Sequence, residues 1–240
     1  MLAQLPHITS RHGFTTRRGG VSQGPYDSLN LSFGVGDDPK AVAENRHRVL
    51  AEFGDPPQAA LQQIHSNIVH WVSGPGEWEG DGLLSQTPGL LLRVSAADCY
   101  PVLLEDPRTG TVGALHSGWR GTLAGILPAA LAQLQAAGSN LSQVRVGLGA
   151  GIAGKCYLVG NDVANLFNEA GYGFALEAAE EKYRLDLAAV LHFQALQAGV
   201  QSQNWAALGS CSHCGAGWFS YRRDGPQSGR MWGMIQVAPR

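Results

Sequence analysis

The stretch from Val94 to Gly121 reads V-S-A-A-D-C-Y-P-V-L-L-E-D-P-R-T-G-T-V-G-A-L-H-S-G-W-R-G, and it decides how the chain is built. Val102, Leu103 and Leu104 mark one buried strand and Val112 to Leu115 a second, with Asp106-Pro107-Arg108-Thr109-Gly110 as the turn between them. Asp98-Cys99 stands just before the first strand. His116 closes the second and runs into Ser117-Gly118-Trp119-Arg120-Gly121. In an antiparallel hairpin the start of one strand lies beside the finish of the next, so Cys99 and His116 are expected to meet at one end of a sheet. A thiol beside an imidazole at a strand end is either part of a metal site or a nucleophile–base pair.

A chain of 240 residues with 44% hydrophobic content buries a substantial core and matches an ordinary globular composition. A net charge of -2 argues against broad binding to nucleic acid or anionic membrane. Only Lys40, Lys155 and Lys182 are lysines. The arginine bias suits bidentate capture of phosphate or carboxylate, and a GC-rich genome produces it equally well. No secretory signal is visible at Met1-Leu2-Ala3-Gln4-Leu5-Pro6, and no apolar run is long enough to span a bilayer. The four cysteines make no disulfide framework, which points to a reducing cytoplasm.

Working outward, His12 to Arg17 reads as a short strand that opens into a turn-rich segment, 18–32, whose Tyr26, Leu29 and Leu31 indicate an ordered loop. Asp37-Asp38-Pro39 starts a helix that runs to about Phe53, with Val42, Val49, Leu50 and Phe53 along its apolar stripe. Arg46 falls on that stripe and needs an anionic partner, as a structural ion pair or as a substrate contact. Leu61 to His65 and Ile68 to Val72 read as strands around a Ser66-Asn67 turn. Ser73 to Gly82 reads as loop, and Leu90 to Val94 as an apolar lead-in. After Arg120 one amphipathic helix is expected as far as Gly138, then a strand over 144–148 and a Gly-rich loop over 149–157. Helices follow over 161–169 and 186–198, and a last strand over 231–237. Irregular mixing of strands and helices favours one α+β domain spanning residues 1–240.

Seven segments follow one pattern in order. They are Gly13-Phe14-Thr15-Thr16-Arg17 with Gly19-Gly20-Val21-Ser22, Ser28-Leu29-Asn30-Leu31, Glu44-Asn45-Arg46, Gln63-Ile64-His65, Ala97 to Leu103, His116 to Gly121, and Phe219 to Asp224. Through them the chain resembles the YfiH/YlmD proteins, once called multicopper polyphenol oxidases and also called peptidoglycan editing factors. The resemblance implies a single domain with a layered α-β-β-α sandwich of mixed sheets, related to the catalytic domain of the cytotoxic necrotizing factor toxins. It implies a zinc site and purine nucleoside phosphorylase activity, with adenosine deaminase and methylthioadenosine phosphorylase activities beside it. Carried over by position, the zinc ligands are His65, Cys99 and His116. The residue chemistry agrees, since one thiolate with two imidazoles suits Zn2+ and three protein ligands leave a fourth position open.

Two neighbouring chemistries fit poorly. A multicopper oxidase needs repeated His-x-His pairs, and the eight histidines here contain none, so copper is expected only as an adventitious metal. The cytidine-deaminase signature needs His-x-Glu, and no histidine has Glu two residues later. Asp98 is a candidate for moving protons, or else for orienting His116 or capping a turn. Phosphorolysis also needs an anion site. Arg120 is the first candidate for it, with Arg46, Arg222 and Arg223 behind; Arg222 and Arg223 cannot face the same way if they lie on a strand. Asn30 is a candidate for the ribose hydroxyls. Cys211-x-x-Cys214 is half of a structural zinc site, which Cys156 could join only through the fold. Ala96, Ala150 and Leu158 depart from the family pattern in loops, which bears on substrate preference more than on the ligands.

The expectation is therefore a cytoplasmic zinc enzyme, monomer or small homo-oligomer, acting on purine nucleosides and phosphate, without nucleic-acid or membrane partners. Two other readings stand beside it. One is a Cys–His hydrolase or deamidase using Cys99 and His116. The other is a peptidoglycan-editing factor that acts on a cell-wall precursor.

Overall fold

A computed structural model describes residues 1–238. Its strands and α-helices begin with β1 (Leu2–Ala3), β2 (His12–Thr15), α1 (Pro39–Ala51), β3 (Gln58–Gln62), β4 (Val69–Trp71), β5 (Gly76–Glu79), β6 (Gly82–Ser85) and β7 (Leu91–Ala96). The central hairpin is β8 (Tyr100–Asp106) and β9 (Thr111–Ser117). Then come α2 (Trp119–Leu123), α3 (Ile126–Ala136), β10 (Arg145–Leu148), β11 (Leu158–Val159), α4 (Asn161–Glu169), β12 (Leu176–Ala179) and β13 (Lys182–Leu185). The chain continues through α5 (Leu187–Ala198), β14 (Trp205–Ala207), α6 (Tyr221–Asp224) and β15 (Met231–Gln236).

Two mixed six-stranded sheets stack face to face, one ordered β1-β2-β15-β7-β3-β5 and the other β14-β10-β8-β9-β6-β4, with a small β11-β13-β12 sheet at the side. Alternation along each strand explains the layers. Leu92, Val94, Leu103 and Ala114 point into the space between the sheets, with Phe14, Leu61 and Ile235. Val102, Leu104 and Leu115 point the other way, against Leu127 and Leu131 of α3 and Leu191 of α5. Leu91, Trp232 and Met234 meet Val49 of α1 on the opposite outer face. Both strands of the central hairpin are buried along their whole length because helices and sheet cover both faces. The result is the α-β-β-α sandwich of mixed sheets expected from the sequence.

The route of the chain matters more for function. From β3 to β8 successive strands alternate between sheets, so β3, β5 and β7 lie in the first and β4, β6 and β8 in the second. Three crossovers therefore pass from the first sheet to the second: 63–68, 80–81 and 97–99. The Ser66-Asn67 segment is thus one of these crossovers and not a hairpin turn.

Other expectations need correction as well. The helix after Arg120 is two helices, because Gly125 takes φ 78 in the left-handed region and breaks the run between α2 and α3. The segment read as loop over 73–82 contains β5, whose alternation is too short and polar to register. Arg222 and Arg223 lie in the short helix α6, capped by the Ser220 hydroxyl, and not on a strand.

The N-terminal segment is pinned to the second sheet by one carboxylate. Glu105, 3% exposed, accepts from Thr9 N and Oγ1 at 3.0 Å each, from Ser10 N at 2.6 Å, and from Arg145 Nη1 at 3.0 Å. Burial pushes its pKa up, but the bonds from Thr9 and Ser10 outweigh burial and hold it below the ordinary value. A lowered folded pKa means stabilisation fully present above the unfolded value of about 4.3 and lost as pH falls below it. Glu105→Ala leaves two backbone donors unmatched, so chemical denaturation at neutral pH should show a loss of about 2 kcal/mol. That loss should shrink when the wild type and the variant are compared near pH 3; an equal difference at both pH values would contradict the account.

Candidate metal centre

All three crossovers deliver a residue to one spot. His65 comes from the first, Asp81 from the second and Cys99 from the third, and His116 arrives at the end of β9 opposite Pro101. Cys99 Sγ lies 4.0 Å from His65 Nε2, and the ligand atoms of His65, Cys99 and His116 all fall within 4.8 Å of one another. The two imidazoles meet edge to face, with centroids 4.9 Å apart at 80°. The structure thus brings together the three side chains that the sequence singled out from distant positions.

Asp81 was not foreseen, and it organises the cluster. It is fully buried, and its Oδ1 lies 2.8 Å from His116 Nδ1. Its Oδ2 accepts from Ser66 N at 2.6 Å, Ser66 Oγ at 2.8 Å and Ile64 N at 3.3 Å, which fixes the loop carrying His65. Burial opposes the charge, yet the bonds from His116 and Ser66 hold the Asp81 pKa at about 2. With Nδ1 engaged, His116 offers Nε2, the carboxylate–histidine pairing common behind metal ligands. Burial raises the Cys99 thiol pKa, but the charge and hydrogen bonds of His116, and then His65, carry it down overall. His116 shifts up for the reciprocal reason, with burial opposing. The thiolate is the form a metal takes.

The backbone is drawn tight around these groups. His65 and Asp98 hold φ 62 and 85, a left-handed conformation uncommon outside glycine that Asp, Asn and His tolerate better than other residues. A Cβ at Gly118 would fall 2.8 Å from Cys99 Sγ and 3.2 Å from His65 Cδ2, so only glycine leaves room for the two side chains.

A cavity of about 550 Å³ opens over the cluster. Its lining includes Arg222 and Arg230, the rings of Tyr157 and Tyr221, the hydroxyls of Ser32 and Ser95, and apolar Leu61 and Ile152. Arg230 was not foreseen either; its Nη1 donates to Ser228 O at 2.6 Å and Gly229 O at 3.1 Å, and burial lowers its pKa. Arg222 lines the pocket with its guanidinium 4.9 Å from the Tyr157 ring.

Several expected site residues are placed elsewhere. Asn30 is fully buried outside the lining, donating to Ser32 O at 3.0 Å and Asp37 Oδ2 at 2.9 Å and accepting from Ser32 N and Arg230 N; its amide organises the loop. Arg46 donates to Leu31 O, stacks 4.2 Å over the Phe33 ring and does not line the cavity. Arg223 is engaged by Asp224 and by the carbonyls of Ser212, His213 and Trp218. Arg120 is exposed, lies over Trp119 at 4.2 Å, and does not line the cavity. Asp98 does line it, but Oδ1 accepts from Ser212 Oγ and Oδ2 from Arg222 N, each at 2.6 Å. Asp98 therefore anchors the C-terminal segment, and Asp81 takes the place beside His116.

With this geometry the chain was compared with known proteins. The family model described as multi-copper polyphenol oxidoreductase laccase matches residues 11–238. The chain belongs to this family. Among relatives in it, a purine nucleoside phosphorylase of Deinococcus radiodurans is 43% identical, covering 100% of this chain and 94% of its own length. Purine nucleoside phosphorylase YlmD of Bacillus subtilis is 31% identical, covering 93% of this chain and 87% of its own. The crystal structure of YlmD from Geobacillus stearothermophilus superposes with a TM-score of 0.92 at 31% identity, covering 98% of this chain and 94% of that one. Bacillus licheniformis YfiH gives 0.87 at 30%, covering 94% and 92%. Among the described residues, no helix is long and apolar enough to cross a membrane.

Proposed function

We propose that the protein is a single-domain, zinc-dependent purine nucleoside phosphorylase of the cytoplasm that accepts adenosine, inosine and methylthioadenosine, with adenosine deamination as a side activity. The observation that carries this reading is the convergence of His65, Cys99 and His116 beneath a cavity that also holds two arginines. The names of the relatives support it.

The donor set fits zinc. One sulfur and two ring nitrogens are its common ligands, and three of them leave a position for substrate. The same set serves blue copper, which also takes a weak axial ligand, usually Met. Among the described residues no methionine lines the cavity, and the amide of Gln63, the glutamine there, is paired with Ser95 N and O, which favours zinc. When bound, zinc would supply Lewis-acid chemistry to an oxygen in the cavity. Arg222 and Arg230 would grip phosphate, and the Tyr157 and Tyr221 rings offer flat faces to a purine. Asp81 would hold His116 in one tautomer throughout.

Incubating the purified zinc-loaded protein with adenosine, with and without phosphate, tests the proposal. Adenine and ribose 1-phosphate formed only with phosphate is the expected result, with slower inosine formation from deamination. No turnover of any of the three nucleosides in the presence of phosphate would overturn it. Losing one charge-assisted phosphate contact costs about 1.5–3 kcal/mol. Arg230→Met should therefore raise the KM for phosphate by about 10- to 100-fold, while the KM for adenosine changes little. Equal changes in both would contradict the assignment of Arg230.

A second reading has one specific observation behind it. Cys99, His116 and Asp81 lie in the order of a nucleophile, base and orienting carboxylate, as in a cysteine hydrolase or deamidase. Metal analysis separates the two readings: loss of one zinc per chain with Cys99→Ala supports the first, and full activity without metal supports the second.

A further inference from the structure

The sequence shows only half a metal site at Cys211-x-x-Cys214. The fold supplies a third thiol: Cys156, from the Gly-rich loop after β10, brings its sulfur within 4.8 Å of both, as the sulfurs of Cys211 and Cys214 are of each other. All are free thiols. We propose that Cys156, Cys211 and Cys214 form a second zinc site, separate from the His65–Cys99–His116 centre, that fastens the cavity-lining loop 149–157 to the segment 209–218.

Zn–S bonds of about 2.3 Å place the sulfurs of a tetrahedral site about 3.8 Å apart. The observed cluster is close to that spacing already, and Cys214 is exposed on a turn and free to close the remainder. The surroundings of Cys211 suit a metal-bound thiolate. Ala153 N donates to its Sγ at 3.4 Å. The turn that presents both cysteines depends on the glycine after them. Gly215 N donates to Cys211 O at 2.9 Å, and a Cβ on Gly215 would fall 2.5 Å from that oxygen.

The position of the cluster gives it a role. Gly151 pairs with Cys211, and Ser212 N donates to Gly151 O at 2.9 Å. Ser212 Oγ holds Asp98, next to Cys99, while Ile152 and Tyr157 line the cavity. Zinc on the three sulfurs would therefore tie the cavity-lining loop 149–157 to the segment 209–218, which holds Asp98 through Ser212, without contacting substrate. On binding, three S–H protons pass to solvent and three Zn–S bonds form, with no redox step.

The test counts zinc by mass spectrometry in full-length protein loaded with Zn2+ under reducing conditions and freed of excess. Two zinc ions per chain are expected in the wild type, and one each in Cys214→Ser and Cys156→Ser. Cys99→Ala should also keep one ion, and chelation should lower its melting temperature, whereas Cys99→Ala/Cys214→Ser should show no such shift. One zinc in the wild type that persists in Cys214→Ser would overturn the proposal. So would a disulfide among the three thiols that, once reduced, leaves protein unable to take up the second ion. Because Cys214 is exposed, its variant decides the matter if Cys156→Ser fails to fold. Loss of the Cys99 ion reports only on the first centre, so the two sites fail or stand separately.

Discussion

Replacing Cys99 with alanine should remove the zinc of the His65–Cys99–His116 centre and lower kcat/KM for adenosine phosphorolysis on the order of a thousandfold, about 4 kcal/mol of transition-state stabilisation. Cys99 is the one anionic ligand of the three, and its charge is what the two neighbouring imidazoles favour. Alanine leaves two neutral nitrogens, too weak a set to retain zinc against buffer. The substitution is small and Cys99 is half-buried, so the sandwich should survive, as circular dichroism and thermal melting would verify. Metal content and initial rates on the same preparation check the prediction. Wild-type turnover in a Cys99→Ala protein that has lost the zinc of this centre would refute both a metal role and a nucleophilic role for this thiol.

Asp81→Asn should lower zinc affinity about 10- to 100-fold although Asp81 touches no metal, the range seen when the partner behind a ligating histidine is altered. Asp81 is an acceptor on both oxygens, taking His116 on one and three donors from Ile64 and Ser66 on the other. An asparagine has one oxygen and one donor group, so either His116 loses its partner or the amide NH2 faces Ser66 N. In the first case the imidazole is free to change tautomer; in the second the loop bearing His65 is released. Competition with a zinc chelator of known affinity measures the effect. Unchanged affinity would show that His116 and His65 are held by packing alone, against the role assigned to Asp81.

The hairpin was legible because its apolar runs and its Asp-Pro-Arg-Thr-Gly turn are local signals, and pairing of Tyr100 with Ser117 and Pro101 with His116 follows directly from them. The helix of 39–51 was legible for a similar reason, since Asp38 and Pro39 mark its start. The alternation of strands between sheets was not legible, because nothing local in β3, β4, β5 or β6 states which sheet each will join. That alternation is what carries His65, Asp81 and Cys99 to one place. His65 was therefore placed by resemblance, and Asp81 passed for part of a Gly-Asp-Gly loop. A lone carboxylate between two glycines, directly before an apolar run, was the available signal. Arg230 was missed for a related reason: it precedes the last strand by one residue and lies outside the seven segments that carry the family pattern. Arg46 and Arg223 have their partners outside the cavity: a ring face and a carbonyl for Arg46, and Asp224 with backbone carbonyls for Arg223.

The most direct test is a zinc anomalous difference map from a crystal of the zinc-loaded protein. A peak bonded to His65 Nε2, Cys99 Sγ and His116 Nε2, with its fourth direction opening into the cavity, is the result this account predicts. No peak there, or one closed off by a fourth protein side chain, would contradict it.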